Sequence, residues 1–218
     1  MVHSVAQLPA ELDKLAGGER ISAWERDVQV VVLCAPDSAP LALKLSQSWR
    51  PRVPAAGIRL LCVGDHDGIE EIASTLDLLR AERLVLVGIG ETAATTLQLA
   101  FSGDGPACAG VLACGDVLPP LTLLTENLVR SRTRLRLVWM SADPLFSAGA
   151  LADMLAWFRA AGLDAQGTVL DGGARSGHES ADPDPTLARM AGAYLAELVA
   201  FALFGREPAR IASLSARK

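Results

Sequence analysis

Apolar positions in this chain fall into short unbroken runs, and the stretches between them repeat with helical spacing. Residues 27–34 read DVQVVVLC, 58–63 IRLLCV, 83–87 RLVLV, 109–114 AGVLAC and 135–140 LRLVWM, with a weaker run at 165–170. Such runs are too short for helices. They lack the alternation of a strand with one wet face, so they predict strands buried on both faces. Between them, residues 39–49, 68–80, 92–101, 147–161 and 185–204 predict helices. Ile69, Ile72, Leu76 and Leu79 line one face of the second, and Leu151, Met154, Leu155 and Phe158 one face of the fourth. Leu187, Ala191, Tyr194, Leu195 and Leu198 do the same for the last.

Strands alternating with helices imply a mostly parallel sheet with crossover helices on both faces. The expected fold is therefore an α/β, three-layer α/β/α sandwich. Residues 27–205 form the single domain, 1–26 a lead-in with a short helix at 8–15, and 206–218 a basic tail. A length of 218 residues suits one domain, and an aromatic share of 5% leaves Ala, Leu and Val to fill the core. The formal charge of −5 argues against a nucleic-acid partner, which favours a basic face. No apolar run reaches the roughly 18 residues of a membrane span, and no secretory leader is legible, so a cytoplasmic location is the expectation. Cys34, Cys62, Cys108 and Cys114 form no CxxC pair, and three of them lie in or at the end of apolar runs. They read as small buried residues, with no disulfide framework and no metal site.

Ligands of such sheets bind beyond the carboxyl ends of the strands. Polar residues gather there: Asp37 after the first strand, Asp65, His66 and Asp67 after the second, Glu91 after the third and Asp116 after the fourth. Asp143 follows the fifth strand, and His178 follows the sixth. Asp67 reads as a cap for the helix that follows it. The most informative stretch is LVLVGIGETAATTLQLAF, from Leu84, where a strand runs through Gly-x-Gly straight into a helix.

That stretch resembles the nucleophile elbow, G-x-S-x-G, of the α/β-hydrolase superfamily, in its phospholipase/carboxylesterase or dienelactone-hydrolase-like branch. The resemblance continues through VLACGDVLPP from Val111, Ala142-Asp143-Pro144 and GGARSGHES from Gly172, and covers about residues 28–204. It implies the order nucleophile, acid, base, with the acid at Asp143 and the base at His178. The nucleophile position is Gly90, and the last elbow position is Thr92. After the first strand, where the family carries an oxyanion loop, stands Cys34-Ala35-Pro36-Asp37, and Pro36 has no N–H to donate.

Gly90 cannot be acylated, so the resemblance implies a hydrolase-like protein without its serine, catalytically impaired or non-catalytic, retaining an Asp143–His178 pair. One alternative is an esterase-like hydrolase of small acyl compounds that uses an unusual nucleophile or water activated by His178. A second alternative reads Gly88, Gly90 and Ala93 as G-x-G-x-x-A, a dinucleotide fingerprint with Asp116 as the ribose acid. The hydrolase readings imply no cofactor and no metal. The expected partner is a small acyl or ester-like ligand, with no nucleic acid and no membrane; a homo-oligomer is compatible with the apolar surfaces.

Overall fold

The computed structural model describes residues 28–64, 67–78, 83–101, 105–115, 133–141, 144–171 and 183–205. The strands are β1 (Val28–Cys34), β2 (Ala56–Cys62), β3 (Leu84–Ile89), β4 (Gly110–Gly115), β5 (Arg134–Ser141) and β6 (Ala165–Asp171). The helices are α1 (Ala39–Trp49), α2 (Ile69–Leu78), α3 (Thr92–Phe101), α4 (Pro144–Ala160) and α5 (Pro185–Phe204). A 3-10 turn, Pro36–Ser38, joins β1 to α1.

All pairings are parallel, in the order β2-β1-β3-β4-β5-β6. The predicted strands are thus all present and all parallel. They are not neighbours in chain order throughout, because β1 lies between β2 and β3. The chain therefore reverses its direction of travel at β1, and the crevice beyond the carboxyl ends of β1 and β3 is the topological switch point.

Both faces of the sheet are covered. On one face α1 and α5 bury Val28, Val30, Val32, Val85, Val87, Ile89, Leu112 and Val138. On the other, α2, α3 and α4 bury Val31, Leu33, Leu86, Val111, Leu135 and Leu137. This double burial is why the strand sequences do not alternate. Trp49 is fully buried and donates its indole N–H to the Ala188 carbonyl at 3.1 Å, tying α1 to α5.

Several boundaries differ from those the sequence predicts. Strand β3 runs two residues further than expected, through Gly88 and Ile89, because those residues still pair with Ala113 and Cys114 of β4. The turn therefore begins at Gly90 rather than Gly88. Helix α4 starts at Pro144, three residues earlier than its apolar spacing suggests. Proline is preorganised for a first helical turn, and its missing N–H has no partner to lose there. Helix α5 is long and apolar enough to cross a membrane by length and composition alone. Its Leu187, Ala191, Leu195 and Leu198 instead pack into the core. Asp184 caps it, accepting the Thr186 N–H at 2.6 Å.

Candidate functional site

The sharp turn after β3 is built by close approach. A Cβ on Gly88 would stand 2.2 Å from the Thr96 hydroxyl oxygen, 2.7 Å from the Thr92 carbonyl and 2.8 Å from the Ala93 Cα. Only glycine lets α3 fold back this closely on its own strand. Gly115, at the end of β4, is similarly placed: a Cβ there would lie 2.7 Å from the Gly90 carbonyl oxygen. The two glycines clamp the turn between β3, β4 and α3.

Gly90 itself has φ +63°, the left-handed region. Its N–H donates to the Cys114 carbonyl at 2.7 Å, and its carbonyl accepts from the Ala93 N–H at 3.1 Å. A Cβ added to Gly90 would meet nothing within 4 Å. The backbone is therefore held in a sharp turn of a hand that side chains rarely adopt, and the direction a side chain would take is open. Glu91, beside it, is exposed.

Thr92 occupies the last position of the elbow, and its side chain is spent beneath the turn. It is buried; its hydroxyl donates to the Leu33 carbonyl at 2.7 Å and accepts the Ile89 N–H at 3.1 Å. The hydroxyl thus bridges β1 to β3. Both bonds commit it to holding the turn. This role was not legible in the sequence, since it depends on β1 being the neighbour of β3.

Other residues singled out above fall in different places. Asp67 closes a turn of its own: its carboxylate accepts the Gly64 N–H at 2.7 Å, and its N–H donates to the Gly64 carbonyl at 3.1 Å. Cys34 and Cys114 are fully buried, as expected of small core residues, and all four cysteines are free thiols. Burial pushes the Cys114 thiol up to about 12 and the Cys108 thiol to about 11, far from thiolate chemistry at neutral pH. Asp143, His178, Asp116, Asp65 and His66 lie outside the described residues. The strands leading to Asp143 and His178 are described, and both end on the same carboxyl edge as the elbow.

One polar cluster was missed. Arg136 interrupts the apolar run of β5, and its side chain is fully buried. It pairs with Glu197 of α5 and with Asp164, and donates to the Leu135 and Asp164 carbonyls at 2.8 and 2.9 Å. Burial would depress its pKa, but the bonds to Glu197 and Asp164 outweigh that and hold it above the ordinary arginine value. Arg134 adds a 3.0 Å ion pair to Asp164 and lies 3.9 Å over the Phe201 ring. A cavity of about 500 Å³ adjoins this cluster at the start of β6, lined by Arg159, Asp164, Gln166 and Tyr194 among others. It sits at the amino edge of the sheet, away from the elbow. The carboxylate of Asp164 is already engaged by two arginines, so the cluster reads as a structural clasp.

A parallel sheet in this order, covered by helices on both faces, is a three-layer α/β/α fold. Solved structures carry the same fold. The chain is similar to esterase PE8, with a TM-score of 0.54 and 17% identity over 79% of this chain and 93% of that one. A fungal esterase from Rhizomucor miehei gives a TM-score of 0.57 and 12% identity over 82% and 76%. A dienelactone hydrolase-like promiscuous phosphotriesterase from metagenomic libraries gives 0.53 and 17% over 79% and 85%. No family model matches the sequence, and no curated protein does.

Proposed function

We propose that this chain is a hydrolase-like protein whose elbow has lost its nucleophile, and that it binds a small acyl or ester-like ligand with little or no turnover. One observation carries the reading. The turn at Gly90 keeps a left-handed backbone and open space where a side chain would project, yet it has no atom to attack a carbonyl. A sharp strand-to-helix turn of this kind is what lifts a nucleophile clear of the sheet in the hydrolase elbow. On this reading the position is kept and the group is absent.

Asp143 and His178 are proposed as the retained pair, Asp143 orienting the imidazole of His178. Their reach is adequate. His178 lies seven residues beyond Asp171, the end of β6. The elbow is three strand spacings from β6, roughly 14 Å, and an extended segment of that length spans roughly 23 Å. Without a hydroxyl, His178 could act only on water, which omits the covalent step that splits acyl transfer into easier halves. Cytoplasmic residence belongs to the same proposal.

The dinucleotide alternative draws on the same glycines. It gains nothing from the structural neighbours named above, and its fingerprint stands on β3 rather than β1. It also needs Asp116 as the ribose acid.

The test is Gly90→Ser, assayed on a short-chain chromogenic ester. The open space at this position admits the side chain. The expected result is a gain of turnover over the unmodified protein, abolished again by His178→Ala in the same background. The gain should be partial: Pro36 removes one N–H from the adjoining loop, and a missing oxyanion donor costs about 3 kcal/mol. A folded Gly90→Ser variant with no turnover would remove the catalytic meaning of the elbow and of the Asp143–His178 pair.

A further inference from the structure

The last residues of β1 and β2 are both cysteines. The register pairs Cys34 directly with Cys62, and their sulfurs lie 3.8 Å apart. Both side chains belong to the face covered by α1 and α5. Directly paired residues of neighbouring strands have backbones about 4.8 Å apart, inside the roughly 4.4–6.8 Å Cα range that a disulfide accepts. Closing the gap to the roughly 2.0 Å of an S–S bond asks for side-chain rotation and no strand movement.

The two thiols differ in access. Cys34 is fully buried, whereas Cys62 is partly exposed at the carboxyl edge. Among the described residues, Cys108 and Cys114 have no such partner: Cys108 sits against the Thr133 hydroxyl, and Cys114 is sealed in the core.

We infer that Cys34 and Cys62 form a redox modification site, a reversible disulfide made when a hydroperoxide oxidises the partly exposed Cys62. The Cys62 sulfur attacks the terminal peroxide oxygen and the O–O bond breaks; that oxygen stays on sulfur as the hydroxyl of a sulfenic acid, and the leaving oxygen takes the thiol proton and departs as alcohol or water. The Cys34 sulfur then attacks the Cys62 sulfur. Its proton and the sulfenic hydroxyl leave as water, and the S–S bond forms. Two thiols lose two electrons, and one hydroperoxide is reduced.

Burial, and then the neighbouring Cys62, push the Cys34 thiol up to about 12. That keeps Cys34 from reacting first and also slows its attack on an oxidised Cys62, so its resolving role rests on the 3.8 Å separation of the two sulfurs. A link here would pin two loop roots beside the elbow. Cys34 precedes the Pro36–Ser38 turn and its carbonyl accepts the Val63 N–H at 2.9 Å, while Cys62 leads into the turn closed by Gly64 and Asp67. The inference stands whether or not the elbow is catalytic.

The experiment treats the reduced, unmodified protein with hydrogen peroxide and reads intact mass and a non-reducing peptide map. The expected result is a loss of two hydrogens, one cross-linked peptide joining Cys34 to Cys62, two remaining free thiols, and full reversal by dithiothreitol. Cys34→Ala should leave Cys62 as a sulfenic acid trapped by dimedone, which the unmodified protein does not accumulate. Cys62→Ser should abolish oxidation of Cys34. Circular dichroism checks that both variants fold, and the map of the unmodified protein decides the matter alone if they do not. Four intact thiols, a link to Cys108 or Cys114, or Cys62 oxidised to sulfinic acid beside an intact Cys34 would each overturn the inference.

Discussion

Two glycines two positions apart do different work at the elbow. Gly88 is demanded by packing, because any side chain would collide with Thr96 and with the backbone of Thr92 and Ala93. Gly90 is favoured by conformation alone, because its surroundings are open and its φ is +63°. Their alanine variants should therefore part company. Gly90→Ala should fold and lose about 1–2 kcal/mol, the usual cost of a left-handed Cβ. Gly88→Ala should lose about 3 kcal/mol or more, since β3 and α3 would have to separate. Urea unfolding of the two variants checks this, and equal losses would mean that the close approach at Gly88 is not what shapes the turn. The sequence showed the Gly-x-Gly but could not say which glycine was needed for which reason. Periodicity carries no information on backbone hand or on the neighbour of β3. For the same reason the commitment of the Thr92 hydroxyl to Leu33 was invisible.

At the scale of elements, the strands were legible because burial on both faces leaves uninterrupted apolar runs, as in VQVVVLC of β1. Their ends were less so. Gly88 looked like the start of a turn because glycine is a turn residue, yet ladder pairing on both sides keeps it in β3. The reach of α4 back to Pro144 was written in that proline rather than in the apolar spacing. Arg136 was the clearest miss. It stands in a strand buried on both faces, where a charge reads as an error until α5 supplies Glu197 and the turn before β6 supplies Asp164. This clasp joins β5, β6 and α5, and its parts should contribute unequally. Arg136→Met strips a donor from the carbonyls of Leu135 and Asp164, and should cost about 2 kcal/mol. Glu197→Gln should cost less than about 1 kcal/mol, because that carboxylate is more than a third exposed and Asp164 remains. The readout is the urea midpoint at unchanged slope. A larger loss for Glu197→Gln than for Arg136→Met would contradict the assignment of Arg136 as the centre of the clasp.

The whole molecule brings the elbow to the switch point of the sheet, where β1 and β3 lie side by side and their connections diverge. This follows from strand order, which the sequence did not contain: six apolar runs specify a parallel sheet but not which side of β1 receives β3. The fold class and the glycine at the turn were legible, because one rests on repeated pattern and the other on a single residue in a recognisable strand-to-helix stretch. The Asp143–His178 pairing is a proposal of sequence order and strand reach. If the elbow is intact in backbone and empty in chemistry, the unmodified protein should be inert toward an activated acyl donor. Incubation with a short-chain chromogenic ester, followed for burst kinetics and by intact mass, reads this out. The expected result is no burst, no acyl adduct and hydrolysis at the background rate; a burst with a stoichiometric acyl adduct would contradict it, and the adduct's position would name the true nucleophile.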